Sequence, residues 1–481
     1  MLKKQEKGGI NLWELTIEKA QEGLRTKEFS ASELVEAALR NIEELEPKLH
    51  AFLTLTPELA LEAARTADER IARGEKLLAL SGIPCSLKDA ILVQGVPCTA
   101  GSRMLEHYIA PYDAFVSKKL KEAGAAIMGK TNMDEFGMGA STEHSVFGPT
   151  KNPADPERVA GGSSGGSAAS VALGECVISL GEDTGGSIRQ PASFCGVVGL
   201  KPTYGAVSRA GVIALASSLD QVGPFARTAR DAEILFNVIR GKDPLDSTSV
   251  DCPYKPQTTN YKLQDLRIGV PKEYFAKGLE AGVEKAVRQA IQKFEKAGAR
   301  VAQIQLPYTE YALAAYYVIN MSEASANLAR YDGVRYGLHQ EESDLLQEYL
   351  DSRGAGLGKE VKRRIMLGTY ALSAGYYEAY YLKAQKVRSL LKQDFDKAFT
   401  AVDVIMGPTS PVLPFRLGER IQDPLAMYLV DAYTVPANVV GLPAISLPAG
   451  RVGNLPVGLQ VMAPAFAENL LFELGKTFEN L

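Results

Sequence analysis

Hydrophobic and polar positions in the first part of the chain follow a helical period. Ser30-Ala31-Ser32-Glu33 has the form of a capping box, in which a serine hydroxyl and a glutamate carboxylate each take an amide at a helix start. Behind it Leu34, Val35, Ala38, Ile42 and Leu45 fall on one side of an amphipathic helix. A second helix is predicted over 59–72. From about 80 to 238 the pattern changes to short apolar runs broken by glycine-rich turns and helical stretches, the alternation of an α/β core. Further strands are predicted at 268–270, 301–306, 402–406 and 455–462. Between the second and third of these lies a helical insertion, roughly 308–399, holding twelve of the chain's 20 tyrosines, among them Tyr316-Tyr317, Tyr376-Tyr377 and Tyr380-Tyr381. Tyrosine at helical spacing ordinarily packs in a core with its hydroxyl satisfied; lining a polar pocket is the alternative.

Two serine-bearing glycine clusters interrupt this pattern. The first is Gly161-Gly162-Ser163-Ser164-Gly165-Gly166-Ser167, and the second is Asp183-Thr184-Gly185-Gly186-Ser187-Ile188-Arg189-Gln190-Pro191. Glycine lets a backbone turn sharply and approach a ligand closely, and consecutive amides in such turns hold an oxyanion. A serine at the end of the turn can attack a carbonyl if a neighbour takes its proton. The chain has four histidines, His50, His107, His144 and His339, of which only His144 stands near such a site. Lys88 is the stronger candidate. The segment 80–93 is mostly apolar, so an inward-pointing lysine would lose hydration, drop its pKa towards neutrality and serve as a general base. The alternative is a surface lysine at a strand end.

Together these elements resemble the amidase signature family, whose members use a Ser-cisSer-Lys triad. The resemblance is carried by the run 163–170, by the segment 183–191 and by Asp220-Gln221-Val222-Gly223-Pro224, and it extends from Leu34 to Gly441-Leu442-Pro443-Ala444-Ile445-Ser446. It implies an α/β fold with a central mixed sheet covered by helices on both faces. Within one domain, 1–75 would be a helical segment packed on the core. Residues 76–307 would carry the catalytic motifs, 308–400 the helical insertion, and 401–481 the rest of the core. By the same resemblance Ser187 is the acyl-forming nucleophile, and Ser163 is the bridging serine that follows a cis peptide bond. Lys88 is the base acting through Ser163. The amides of Thr184, Gly185, Gly186 and Ser187 form the oxyanion hole, with Ser164 and Ser167 structural.

Phrases outside the triad discriminate within the family. Residues 132–139 (NMDEFGMG), 322–328 (SEASANL), 360–365 (EVKRRI) and 367–372 (LGTYAL) are similar to the glutaminase subunits of tRNA-dependent amidotransferases. That likeness implies hydrolysis of free glutamine, with ammonia channelled to the B subunit of a heterotrimer bridged by a small C subunit. The B subunit would use ATP and Mg to activate glutamate, or aspartate, on a charged tRNA that it mainly holds. This chain would need no metal or organic cofactor. Glutamine's α-carboxylate wants a guanidinium and its α-ammonium a carboxylate; by similarity these are Arg364 and Asp431. Arg363, about 100° away around a helix, is the alternative anchor. The competing readings are a stand-alone amidase acting on a small carboxamide and a catalytically silent scaffold.

Composition adds constraints. The chain has 481 residues, 46% hydrophobic, enough for a sizeable core. Its 53 basic and 57 acidic side chains give a net charge of −4, a balance that argues against a dominant polyanion binder. Five cysteines, an odd number without metal spacing, read as reduced residues of a cytoplasmic protein. Of these Cys195 is nearest the second cluster, but Phe194-Cys195-Gly196-Val197-Val198 reads as packing. Residues 1–9 are charged, with no secretory signal, and no apolar run is long enough for a membrane span. One motif is a decoy. Residues 124–131 match the phosphate-binding GxxxxGK[ST] consensus, but here a helix should precede Gly124 and a strand should follow it, the reverse of a P-loop's strand–loop–helix order.

Overall fold

The computed structural model describes residues 11, 15–252, 262–342 and 344–481; the charged segment 1–9 lies outside them. Its strands are β1 (Phe52–Leu55), β2 (Pro84–Lys88), β3 (Ala126–Thr131), β4 (Lys151–Asn152), β5 (Asp155–Val159), β6 (Ile178–Asp183), β7 (Val198–Lys201), β8 (Gln221–Ala226), β9 (Arg267–Pro271), β10 (Arg300–Ile304), β11 (Val404–Pro408), β12 (Ala444–Val452) and β13 (Leu455–Met462). Eleven form one sheet in the order β1-β3-β2-β6-β8-β7-β12-β13-β11-β9-β10, and β4-β5 is a separate ribbon. The sheet is mixed, as expected. Strands β3, β2 and β6 run parallel, as do β11, β9 and β10, and antiparallel pairs join these blocks.

Helices cover both faces, and β12 shows how. Successive side chains of a strand point to opposite faces. A Cβ on Gly458, opposite Pro448, would meet Ser446 and Ser193 of the helix Arg189–Cys195. One residue along, Leu447 faces Gly475 of the helix Glu468–Glu479, which packs on Ala229 of the helix Ala229–Ile239. The capping box forms as expected: Ser30 and Glu33 exchange hydrogen bonds at the start of Ala31–Leu49, and Pro57–Ala72 is the second helix. Two predicted strands shift. The fifth residue of β10 is its last, because Pro307 opens a 3-10 turn and Leu306 buries its side chain in another apolar cluster. Strand β11 begins at Val404 because Val402 caps the helix Lys383–Ala401.

Between β10 and β11 the chain is helical: Ala312–Asn327, Leu345–Gly356, Lys359–Leu372 and Lys383–Ala401. The first and third touch so closely that any side chain on Gly368 would collide with the Met321 carbonyl. The tyrosines divide. Tyr316 is buried, whereas Tyr370, Tyr376 and Tyr380 are more than two-fifths exposed and lean on one another, so core packing does not describe them. The phosphate-loop decoy resolves as a helix Phe115–Glu122, Gly124 in a left-handed turn, and β3. Lys130 of that motif is buried in an ion pair with Asp89, 3.0 Å away. Among the described residues no helix is long and apolar enough to cross a membrane.

Candidate active site

Strands β2 and β6 are parallel neighbours with Leu87 opposite Leu180, so their carboxyl ends reach the same sheet edge. That is where open α/β sheets place ligands. Lys88 closes β2 and is fully buried. Its Nζ donates to Ser163 Oγ at 2.8 Å and to the Glu182 carbonyl at 3.2 Å, with the Glu182 carboxylate 3.5 Å away. Burial pushes the Lys88 amine below its ordinary pKa, although Glu182, Asp134 and Asp220 pull the other way. Burial also raises the Glu182 carboxyl, so the pair is held towards its neutral form.

Ser163 follows a cis peptide bond from Gly162. The loop around it is fixed on each side. The Gly162 amide donates to Gln190 Oε1 at 2.9 Å, and the Asp134 amide donates to the Ser163 carbonyl at 3.1 Å. Asp134 in turn accepts the amides of Ser141, Thr142 and His144. Its carboxylate stands where a Cβ on Gly162 would be, which is why that position is glycine. Ser164 and Ser167 donate to the Glu182 and Leu180 carbonyls and tie the following helix, Gly165–Ala172, to β6.

Residues 184–187 turn from β6 into the helix Arg189–Cys195. The Ser164 amide reaches the Ser187 carbonyl at 3.2 Å, which joins the two serine clusters. Among the described residues the amides of Thr184, Gly185, Gly186 and Ser187 find no acceptor, and the Ser187 hydroxyl makes no hydrogen bond. Four neighbouring unpaired donors form a concavity for negative charge. Both glycines are required. A Cβ on Gly185 would come within 2.5 Å of the Tyr316 ring, and Gly186 has φ +148° with Thr434 Oγ1 in the way. The turn is braced by Asp183, which accepts the Ile188 amide and pairs with Arg189. Burial alone would raise the Asp183 carboxyl, but the Arg189 guanidinium outweighs it and holds the pKa at about 2. Arg189 also donates to Asn438, Gln460 and the Thr434 carbonyl. On the other flank Thr184 Oγ1 donates to Asp220 at 2.7 Å.

Asp431 and Arg364 lie on the helical side of this turn. Asp431 is buried, its Oδ1 has no hydrogen-bond partner among the described residues, and a Cβ on Gly186 would stand 3.1 Å from that oxygen. Burial first, and then Asp183, push the Asp431 carboxyl well above its usual range. Arg364 is 3% exposed, with its guanidinium 5.3 Å from each of the Tyr317 and Tyr428 rings. Glu360 accepts from Arg364 Nε at 2.8 Å and from Tyr428 at 2.6 Å. Arg363 also pairs with Glu360, but its side chain is 43% exposed.

The family model described as Amidase matches residues 33–472. The chain belongs to the amidase family. It is 55% identical over 473 residues to the A subunit of glutamyl-tRNA(Gln) amidotransferase from Carboxydothermus hydrogenoformans, covering 98% of each chain. It is also 55% identical to the Caldanaerobacter subterraneus protein of the same name, covering 98% of this chain and 97% of that one. The crystal structure of the Thermotoga maritima protein of that name matches with a TM-score of 0.78 and 43% identity, over 97% of this chain and 94% of the other.

In this amidase the other reactive-looking residues have structural partners. His144 contributes its amide to Asp134, and among the described residues its ring forms no hydrogen bond to either serine. The Cys195 thiol donates to the Ala160 carbonyl, and burial pushes its pKa up. Sequence reasoning singles out one buried lysine where the described residues hold three. Lys130 meets Asp89, and Lys201, among the described residues, donates to the Pro202 carbonyl alone, at 2.7 Å. Sequence reasoning also misses Glu182 and Thr434, quotes Asp220 only as part of a family motif, and leaves Tyr316 between core packing and pocket lining. The spacing of Asp183 and Arg189 across the glycine turn is a usable signal for the brace, since opposite charges six residues apart can close such a turn on itself.

Proposed function

We propose that this chain is the glutamine-hydrolysing subunit of a glutamyl-tRNA(Gln) amidotransferase. The buried hydrogen bond from Lys88 to Ser163, beside four amides without acceptors, carries the chemical part of the reading. The full-length likeness to proteins of that name supports the substrate and the assembly. Lys88, neutral because it is buried, takes a proton from Ser163 as Ser163 takes the proton of Ser187. Ser187 Oγ bonds to the side-chain carbonyl carbon of glutamine, and the oxyanion is met by the amides of Thr184, Gly185 and Gly186. The proton returns through Ser163 to the amide nitrogen, the C–N bond breaks and ammonia leaves. Water then cleaves the γ-glutamyl ester along the same proton path, releasing glutamate.

Arg364 takes the substrate's α-carboxylate and Asp431 its α-ammonium. The ammonia passes to the B subunit, which uses ATP and Mg to activate glutamate, or aspartate, on tRNA, with the small C subunit bridging the two in the cytoplasm. Every step in this chain is carried by its own side chains and amides. The test is ammonia release from glutamine by the complex purified from its own cells. Ser187→Ala should abolish release while the complex stays assembled. Normal turnover by that variant would remove Ser187 as nucleophile, and isolation as a homo-oligomer indifferent to glutamine would favour a free-standing amidase.

A further inference from the structure

The segment 132–139 stands out in the sequence, yet the triad, the amides and the substrate anchors use none of its side chains. Its Glu135 is buried at 3% exposure, in a 3-10 turn with Phe136 in left-handed conformation. The carboxylate reaches 223 residues along the chain. Oε2 accepts the Gly358 amide at 2.9 Å, and Oε1 accepts it at 3.1 Å. Ser102 Oγ donates to Oε1 at 2.6 Å and lies 3.2 Å from the Gly356 carbonyl. Gly358 is the N-cap of the helix Lys359–Leu372 and has no side chain to cap it. Glu135 supplies the cap from another part of the fold: its carboxyl oxygens accept the N-cap amide at the positive end of the helix, where burial raises the carboxyl pKa to about 7. Any side chain on Gly358 would collide with Oε2.

That helix carries Glu360 and Arg364. The residue before Glu135 holds the other half of the site: the Asp134 amide donates to the Ser163 carbonyl, and its carboxylate collects three amides of the loop 141–144. Two consecutive residues therefore grip the bridging-serine loop and the arginine helix. Apolar packing follows the same line, since Met133 and Phe136 share a cluster with Leu357 and Val361. Placement of a remote binding group relative to reacting atoms governs how well substrate binding energy is used.

We infer that Glu135 is a positioning residue for glutamine, clamping the helix of Arg364 to the segment that holds Ser163 and so fixing the distance between the α-carboxylate anchor and the bridging serine. This rests on Arg364 being that anchor. It acts through Gly358 and touches neither substrate nor reacting atoms.

The experiment compares glutaminase kinetics of the assembled complex with the rate at which phenylmethylsulfonyl fluoride, which has no amino-acid groups, labels Ser187. Glu135→Ala should raise KM for glutamine about tenfold, leave kcat within about threefold, and leave labelling unchanged. Glu135→Gln keeps an acceptor for Gly358 and should restore KM to within about threefold. Gly358→Ala displaces the carboxylate from outside and should reproduce the raised KM, which keeps the test open should the first variant fail to assemble. Unchanged KM in Gly358→Ala, or a fall in kcat and labelling together in Glu135→Ala, overturns the inference. If Arg364→Ala itself leaves KM unchanged, the anchor reading has failed; if Arg364→Ala raises KM and the Glu135 variants do not, only the clamp has.

Discussion

Lys88 and Ser163 are 75 residues apart in sequence and 2.8 Å apart in space, and both are closed to solvent. The contact depends on three pieces of backbone. Strand β2 delivers the lysine, a glycine-rich loop presents the serine, and β6 closes over them with the Glu182 carbonyl 3.2 Å from the same amine. Burial disfavours charge on an amine closed to solvent, so it pushes the Lys88 pKa below its ordinary value, towards the form that can accept a proton.

Removing that base should stop acylation. Lys88→Ala is expected to lower kcat/KM for glutamine by about 10³-fold or more, since general-base removal typically forfeits 10²–10⁴ and, among the described residues, Ser163 Oγ hydrogen-bonds to no other base. In the wild type, activity should fall as pH is lowered through the depressed Lys88 pKa, because the protonated amine cannot accept. His144→Ala should retain most activity. Ammonia release across pH in the three proteins checks this, and loss of turnover in the histidine variant alone would return the base to the imidazole.

The amide turn makes a separate prediction. Gly185→Ala drives a methyl into the Tyr316 ring, and Gly186→Ala meets Thr434 in a backbone conformation that favours glycine. Either should displace the unpaired amides and lower kcat about 10²-fold, the range for losing one oxyanion donor. KM should change far less. Steady-state kinetics separate the two, and a pure KM effect would mean that these glycines serve binding only.

Arg364 and Asp431 should govern KM. Arg364→Ala is expected to raise it at least tenfold, and Arg363→Ala, at a half-exposed position, to change it by less than about threefold. Asp431 binds an ammonium only as a carboxylate, and burial holds its pKa well above the usual range. KM for glutamine should therefore rise as pH falls through that raised value. Asp431→Asn should raise KM and remove that limb. A pH profile of KM unchanged in Asp431→Asn would assign the ammonium contact elsewhere.

Local signals make much of this legible. The capping box at Ser30, the period-2 run of β13 and the glycine clusters each announce themselves within a few residues. Strand β12 does not, because Pro448 interrupts its pairing and its second half is exposed. The lysines show the limit most clearly. Lys88, Lys130 and Lys201 all lie at or near the ends of apolar strands and all are buried, so flanking sequence cannot separate base from brace. What separates them is the partner: the fold brings the Ser163 hydroxyl to Lys88 and the Asp89 carboxylate to Lys130 from distant parts of the chain, whereas Lys201 donates to the carbonyl of the next residue, Pro202. Glu135 is visible in the sequence only as one letter of a family phrase, because its partner lies 223 residues away.

Lys201 gives the last prediction. It is fully buried, and burial first, with Arg189 adding repulsion, lowers its pKa to about 7 despite Asp183 and Glu468. Unfolded, the amine titrates near 10.4. Between these values the unfolded chain binds a proton that the folded chain lacks, so stability rises with pH from about 7 to about 10. Below that window the whole penalty applies, on the order of 4 kcal/mol. Lys201→Met keeps the stem and removes the amine, while Asp183 retains Arg189 and Glu468 retains the Thr203 amide. The variant should unfold at higher urea than the wild type at pH 7, with the gap shrinking towards pH 10. A lower midpoint at pH 7 would mean that Lys201 is charged in the fold and holds Glu468.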